Sequence, residues 1–304
     1  MKNNAPSSTA NVVARNIAFV AATEETAKLV SEQSAMINAL FVKEFSSGGK
    51  VFLERLKRRW FQMLFGLYER LAIPGLALHQ ALRKIHIEKF VRESIAEGFA
   101  QIIVLGGGLD TLALRLCKEF PLVNFLEIDH PATHRFKRET IEKHHLGGEN
   151  LSLISADFTH ETFAAILKNH PRYQQQLETV FICEGVLMYL RRDEVKGIFG
   201  FIREHNKLRK RFIFTFIEPD ERGKPNFGNA TFLVNLWLKW KKEPFKWGIG
   251  KDELKDFLKE NDFSFKSLII GGTSRGTYQS KSTLDNRPIA KGENICVCEN
   301  ASNN

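Results

Sequence analysis

Long apolar runs are missing from this chain of 304 residues. None approaches the ~18 residues that crossing a bilayer takes, so no membrane span is expected. The polar start MKNNAPSSTANVVARNIAFVAATEE, interrupted by Arg15, makes a poor signal peptide. Cysteine is equally scarce, with 4 in all: Cys117, Cys183, Cys296 and Cys298. Nothing in their spacing builds a disulfide framework, which suits a reducing, cytoplasmic setting. Two of them fall within apolar runs, where cysteine behaves as a small buried hydrophobe. Cys296-Val-Cys298 has strand spacing and no neighbouring cluster of Cys or His, so no metal site is expected. No Gly-Lys-Ser/Thr follows a glycine loop, which excludes a P-loop nucleotide site.

What is present is the composition of a soluble globular protein, 43% hydrophobic and 26% charged. The net charge of +9 has one dense source, Arg55-Leu-Lys57-Arg58-Arg59, next to Trp60 and Phe61. Together with Phe52, Leu56, Met63 and Leu64 this reads as a helix with a basic, solvated outer face. A surface for an acidic carrier protein, anionic lipid or nucleic acid is the competing reading. The other basic residues are dispersed among acids, and no nucleic-acid partner is expected. Oligomeric state is left open.

The first hundred residues carry little strand signal. Residues 12–30, 35–45 and 51–71 read as helices, with Ser46-Ser-Gly-Gly49 as a loop and Pro74-Gly75 as a break. Leu78, Leu82, Ile85, Phe90, Val91 and Ile95 then recur at helical intervals, predicting a long helix over 77–96 that Gly98 ends. From Gln101 the texture changes. Strands are predicted at 102–105, 124–128, 151–155, 180–183 and 212–217, with helices at 109–119, 132–144, 161–169 and 193–204 between them. A helix at 252–260 precedes strands at 265–270 and 294–299, an antiparallel pair at the sheet edge. The expected architecture is an α/β fold: a doubly wound, Rossmann-like, mostly parallel sheet with an antiparallel C-terminal edge and an N-terminal helical cap. The cap covers 1–98, the core 99–304, and a segment at about 222–247 with Trp237, Trp240 and Trp247 is an insertion that adds to the cap.

In such a sheet, ligands sit beyond the carboxyl ends of the strands. Four strand ends carry acids: Gly106-Gly-Gly108-Leu-Asp110, Glu127-Ile-Asp129, Ala156-Asp157-Phe158 and Glu184-Gly-Val-Leu-Met-Tyr189. No lysine or arginine joins them there. A dinucleotide fingerprint is only partly matched, because Thr111 stands where a small residue is usual. S-adenosyl-L-methionine suits the set better: it lacks phosphate, carries positive sulfonium and ammonium groups, and offers a ribose diol to one carboxylate. Asp129 is placed for that diol, Asp157 for the adenine amino group with Phe158 on the ring, and the glycines let the methionine portion lie against bare backbone.

QIIVLGGGLDTLALRL, FLEIDHP, SADF and ICEGVLMYLRRDEV resemble motifs of the leucine carboxyl methyltransferase family, class I S-adenosylmethionine-dependent O-methyltransferases. SSTANVVARNIAF resembles the family's N-terminal segment, and PGLALHQALRKIHIEKF its arginine-bearing helix. The resemblance implies cofactor contacts from Arg83 to the methionine carboxylate, Gly106 and Gly108 at the glycine turn, Asp129 to the ribose, Asp157 and Phe158 to adenine, and Glu184 near the methionine end. Tyr189 matches a tyrosine near the methyl acceptor, and Arg15 a basic residue approaching the site. Leu112 replaces a frequent arginine, and Gly107 a common alanine, an exchange expected to matter little.

The implied reaction is in-line displacement of the methyl group by an acceptor oxygen, which needs alignment more than a base. An acceptor carboxylate is already ionised, whereas a hydroxyl would need a proton acceptor. His86, His130 and His160 read as helix-surface or capping residues, so a carboxylate on a small-molecule or carrier-bound acyl acceptor is favoured. A nicotinamide-dependent oxidoreductase on a similar sheet is the alternative. A non-catalytic binding module is a third reading, set against the presence of Asp129, Asp157 and Glu184.

Overall fold

In the computed structural model, residues 5–156, 163–168, 170–204, 208–230, 244–271 and 287–300 are described. Seven strands form one sheet: β1 (Gln101–Leu105), β2 (Asn124–Asp129), β3 (Leu151–Ser155), β4 (Thr179–Cys183), β5 (Lys210–Ile217), β6 (Phe263–Ile269) and β7 (Glu293–Asn300), ordered β3-β2-β1-β4-β5-β7-β6. The first five run parallel, and β7 enters antiparallel between β5 and β6. β1, β4 and β5 are buried at every position, as expected for strands covered on both faces. Strand order reverses between β1 and β4, which opens a crevice beyond their carboxyl ends.

α5 (Leu76–Ala96) and α6 (Leu112–Glu119) cover one face through Ile87, Val91, Leu112 and Leu116. The other face packs on α8 (Phe163–Lys168), α9 (Arg192–Glu204) and α10 (Leu254–Glu260), where Phe199 stands edge-on to Phe212, Phe214, Phe257 and Phe263. Trp247 packs on Phe257 in this same core, as a structural anchor. Trp237 and Trp240 lie outside the described residues.

The cap consists of α1 (Ser8–Ala22), α2 (Glu32–Phe45), α3 (Ser47–Leu56) and α4 (Arg59–Ala72). Ser7 and Ser31 cap α1 and α2 by accepting from Ala10 N and Ser34 N. The cap core, with Ile17, Ile37, Phe41, Leu78 and Leu82, joins α1 and α2 to α5. Two expectations fail here. Ser46–Gly49 is not a loop: α3 opens at Ser47, and Gly49 lies against the Val42 carbonyl, where a Cβ would collide. The single helix expected over 51–71 is broken at Lys57–Arg58, with Arg58 in extended backbone capping α4. Met63 and Leu64 consequently point outward, as does the neighbouring Trp60, instead of joining Phe52 and Leu56 in the core.

α7 (Pro131–Lys143) links β2 to β3 and starts on His130, whose ring accepts from Ala132 N. His130 is thus the cap that its position suggested, with Pro131 at the first helical position. His86, expected on a helix surface, is buried. His160 lies outside the described residues.

Candidate active site

At the end of β1 the chain turns on Gly106 with φ +70°, a left-handed conformation that disfavours side chains. A Cβ there would stand 2.6 Å from Cγ2 of Val186, so bare backbone lets the β1 turn approach the loop after β4. Gly106 N donates to Ile128 O at 2.8 Å, tying the turn to β2. Asp129, the last residue of β2, then accepts from Gly108 N through Oδ2 and from His130 N through Oδ1 at 2.6 Å. Burial raises its pKa above the ordinary carboxylate value, partly offset by those two N–H donors. The turn and the acid therefore form one rigid unit, with the remaining carboxylate lone pairs open to further donors.

The cations absent from the strand ends arrive from helices, correcting the picture of an acid-only rim. Arg83 on α5 donates from Nε to Glu184 at 2.8 Å and from Nη1 to both oxygens of Glu293 at 2.7 and 2.6 Å. Lys84 beside it reaches Asp110 at 2.8 Å and Glu184 at 3.2 Å. His79 Nε2 meets Glu293 at 2.8 Å. Burial opposes ionisation of both acids, yet Lys84 holds Asp110 at about 2, and Arg83 with His79 holds Glu293 at about 2. Arg83 is raised further above the usual range by its carboxylate partners despite complete burial. Its Nη2 has no hydrogen-bond acceptor among the described residues and faces Gly185.

Below the turn, Lys137 of α7 pairs with Glu127 and donates to Asp110 O at 2.6 Å. Burial nevertheless pushes Glu127 up to about 7. A Cβ on Gly107 would sit 2.5 Å from Glu127 Cγ, so glycine in place of alanine lets Glu127 pack beneath the turn. That exchange, expected to matter little, has a structural consequence here.

α1 lies across the front of the site. Ser7 N donates to Thr133 Oγ1 at 3.1 Å, and a Cβ on Gly108 would come within 3.2 Å of Ala10 Cβ. A cavity of about 100 Å³ follows, lined by Val12, Leu76, Arg83, Tyr189, Phe227 and Phe245 among others. Tyr189, in a short 3₁₀ turn after β4, packs against Phe245 with the ring centres 5.4 Å apart and the planes tilted by 53°. A larger cavity of about 540 Å³ lies away from these groups, between α1 and α4. Arg15 does not line the smaller cavity; its guanidinium sits 5.0 Å from the Phe52 ring in the cap.

Of the sequence-derived residues, Arg83, Gly106, Gly108, Asp129, Glu184 and Tyr189 converge on the crevice at the strand switch. Asp157 and Phe158 lie outside the described residues. Lys84, Lys137 and Glu293 were missed. Lys84 adjoins Arg83 on a helix already singled out, but nothing local marks Glu293, 210 residues away from Arg83 in the chain. The arrangement offers bare backbone, a hydrogen-bonded acid at the end of β2 and an acid–arginine pair after β4, which fits the donor set of S-adenosyl-L-methionine. Among the described residues no group of His, Cys, Asp and Glu is arranged to hold a metal.

A family model described as leucine carboxyl methyltransferase matches residues 18–203. The chain belongs to the leucine carboxyl methyltransferase family. The cofactor that goes with this family of methyltransferases is S-adenosyl-L-methionine. A Mycobacteroides abscessus relative, named as a candidate S-adenosyl-L-methionine-dependent methyltransferase, is 26% identical over 151 residues, 49% of this chain and 46% of its own. YktD of Bacillus subtilis, named in the same way, is 24% identical over 192 residues, 62% of this chain and 61% of its own. The chain thus spans about half the length of the curated relatives it matches. A crystal structure of a candidate methyltransferase from Thermobifida fusca covers 87% of this chain and 93% of its own with a TM-score of 0.57 at 16% identity, a likeness of fold.

Proposed function

We propose that the protein is an S-adenosyl-L-methionine-dependent O-methyltransferase acting on a carboxylate, carried by a small molecule or a carrier-bound acyl chain. The observation behind this reading is the bond from Gly108 N to Asp129 Oδ2, which joins the glycine turn of β1 to the acid of β2. When bound, the donor supplies an electrophilic sulfonium methyl group. Asp129 is assigned the ribose hydroxyls, Glu184 the ammonium end, and Arg83 Nη2 the cofactor carboxylate. Asp157 and Phe158 keep the adenine role that their sequence positions suggest.

The cavity beside Tyr189 is assigned to the acceptor. Its lining carboxylate, Glu293, is held at about 2 and engaged by Arg83 and His79, so it is a poor proton acceptor at neutral pH. Among the described residues that line the cavity no base is left for a hydroxyl acceptor, whereas an acceptor carboxylate needs none. Apolar walls from Val12, Leu76, Met188 and Phe227 exclude water and orient the acceptor. A nicotinamide-dependent oxidoreductase gains no support from membership of a methyltransferase family.

Calorimetry with S-adenosylhomocysteine tests the donor site: Asp129→Ala should weaken binding by roughly tenfold or more, as loss of a charge-assisted bond predicts, and unchanged affinity would refute the assignment. Incubation of the protein with host extract and methyl-labelled donor tests the acceptor. Base-labile label supports an ester, and base-stable label an ether or amine.

A further inference from the structure

We propose that α4 docks the protein on an anionic lipid surface. Trp60, Met63, Leu64, Leu67 and Tyr68 recur at three- and four-residue intervals along this helix, and each is between 53% and 76% exposed. That is a continuous apolar stripe turned to solvent, of a kind monomeric proteins rarely leave uncovered. No residue of α4 is buried, so the helix lies on the outside of the cap, with Met63 and Leu67 on the rim of the cavity between α1 and α4 and Trp60, Leu64 and Tyr68 turned away from it. A surface helix with exposed apolar side chains and cations at its ends matches an interfacial amphipathic helix.

Charge selects the occupant. Arg55, Lys57, Arg58 and Arg59 crowd the amino end of the stripe, and Arg70 is exposed at the carboxyl end. Lys57 is matched by Glu54 and Arg59 by Glu24, whereas Arg55 and Arg58 have no ion-pair partner among the described residues. Glu69 is drawn inward, accepting from Ala77 N at 2.7 Å. A second copy of the chain would set basic ends against basic ends in either orientation. An anionic bilayer instead takes the stripe among its acyl chains and the arginines among its headgroups. Ile73, which caps the carboxyl end of α4, lines the acceptor cavity, so the docked face and that cavity meet at one end of the helix.

Co-sedimentation of the full chain with phosphatidylcholine vesicles, with and without phosphatidylglycerol, tests this. Binding should require phosphatidylglycerol and fall in high salt. Two double variants, Leu64→Glu with Leu67→Glu and Arg55→Glu with Arg58→Glu, should each weaken it by roughly tenfold or more. All four positions are exposed, and an unchanged thermal melt establishes that the variants fold. The proposal is overturned if phosphatidylglycerol vesicles do not bind, if neutral vesicles bind as tightly, or if folded variants bind like the parent. It is equally overturned if light scattering shows a dimer that the Leu64/Leu67 variant dissociates, since the stripe is then an interface between copies.

Discussion

Glu293, which opens the β7 strand, grips Arg83 on α5 through two hydrogen bonds of 2.7 and 2.6 Å across 210 residues of chain. The last strand of the sheet is thereby tied to the helix that faces the proposed donor site. Glu293→Gln should leave Arg83 underpaired in a buried setting, at a cost of about 3 kcal/mol in urea unfolding. The pH dependence has a definite sign. Glu293 is depressed from 4.5 to about 2, so its contribution is complete above 4.5 and is lost as pH falls towards 2. The parent should therefore lose more stability than the variant over that acid window, and parallel curves would contradict the pairing.

Gly106→Ala should be destabilising for two separable reasons. The positive φ imposes a cost of about 1 kcal/mol on any side chain, and the new Cβ strikes Val186. Val186→Ala in the same chain should recover the second part only. Chemical denaturation of the double-mutant cycle measures this coupling. Additive effects would mean that the two residues do not touch.

Lys137→Met should cost about 3 kcal/mol at alkaline pH, where Glu127 is forced to ionise without its cation. Burial raises Glu127 from 4.5 to about 7, so the native state keeps a proton that the unfolded chain has released. This group therefore lowers stability progressively as pH rises through that window. Without Lys137 the penalty should grow above 7 and shrink near pH 4.5, where the carboxyl is protonated in both chains. An equal loss at both ends of the range would speak against the pair.

Phe245→Ala should separate acceptor from donor. The ring packs on Tyr189 in the cavity assigned to the acceptor, away from the Asp129 turn. Transfer of label to extract should fall by roughly tenfold or more, while S-adenosylhomocysteine affinity holds. A parallel loss of both would place Phe245 in the donor site.

The amino-acid order alone determined the parallel half of the sheet and the turn that feeds the site. The strand Leu151–Ser155 is legible to the residue, and Gly106, Gly108 and Asp129 stand out by their place after apolar runs. These features are legible because a buried parallel strand is a short apolar run, and the residues that hold a ligand follow it directly in the chain. Tertiary structure decided what depends on distant partners. It inserted β7 between β5 and β6, brought Glu293 to Arg83, and carried Lys84 and Lys137 to acids on the rim. It also turned Trp60, Met63 and Leu64 outward after a break at Lys57–Arg58 that helical periodicity did not announce. Periodicity marks an apolar face, but only the packing of the remaining chain settles whether that face is covered, and strand order and buried ion pairs arise from contacts with no local trace.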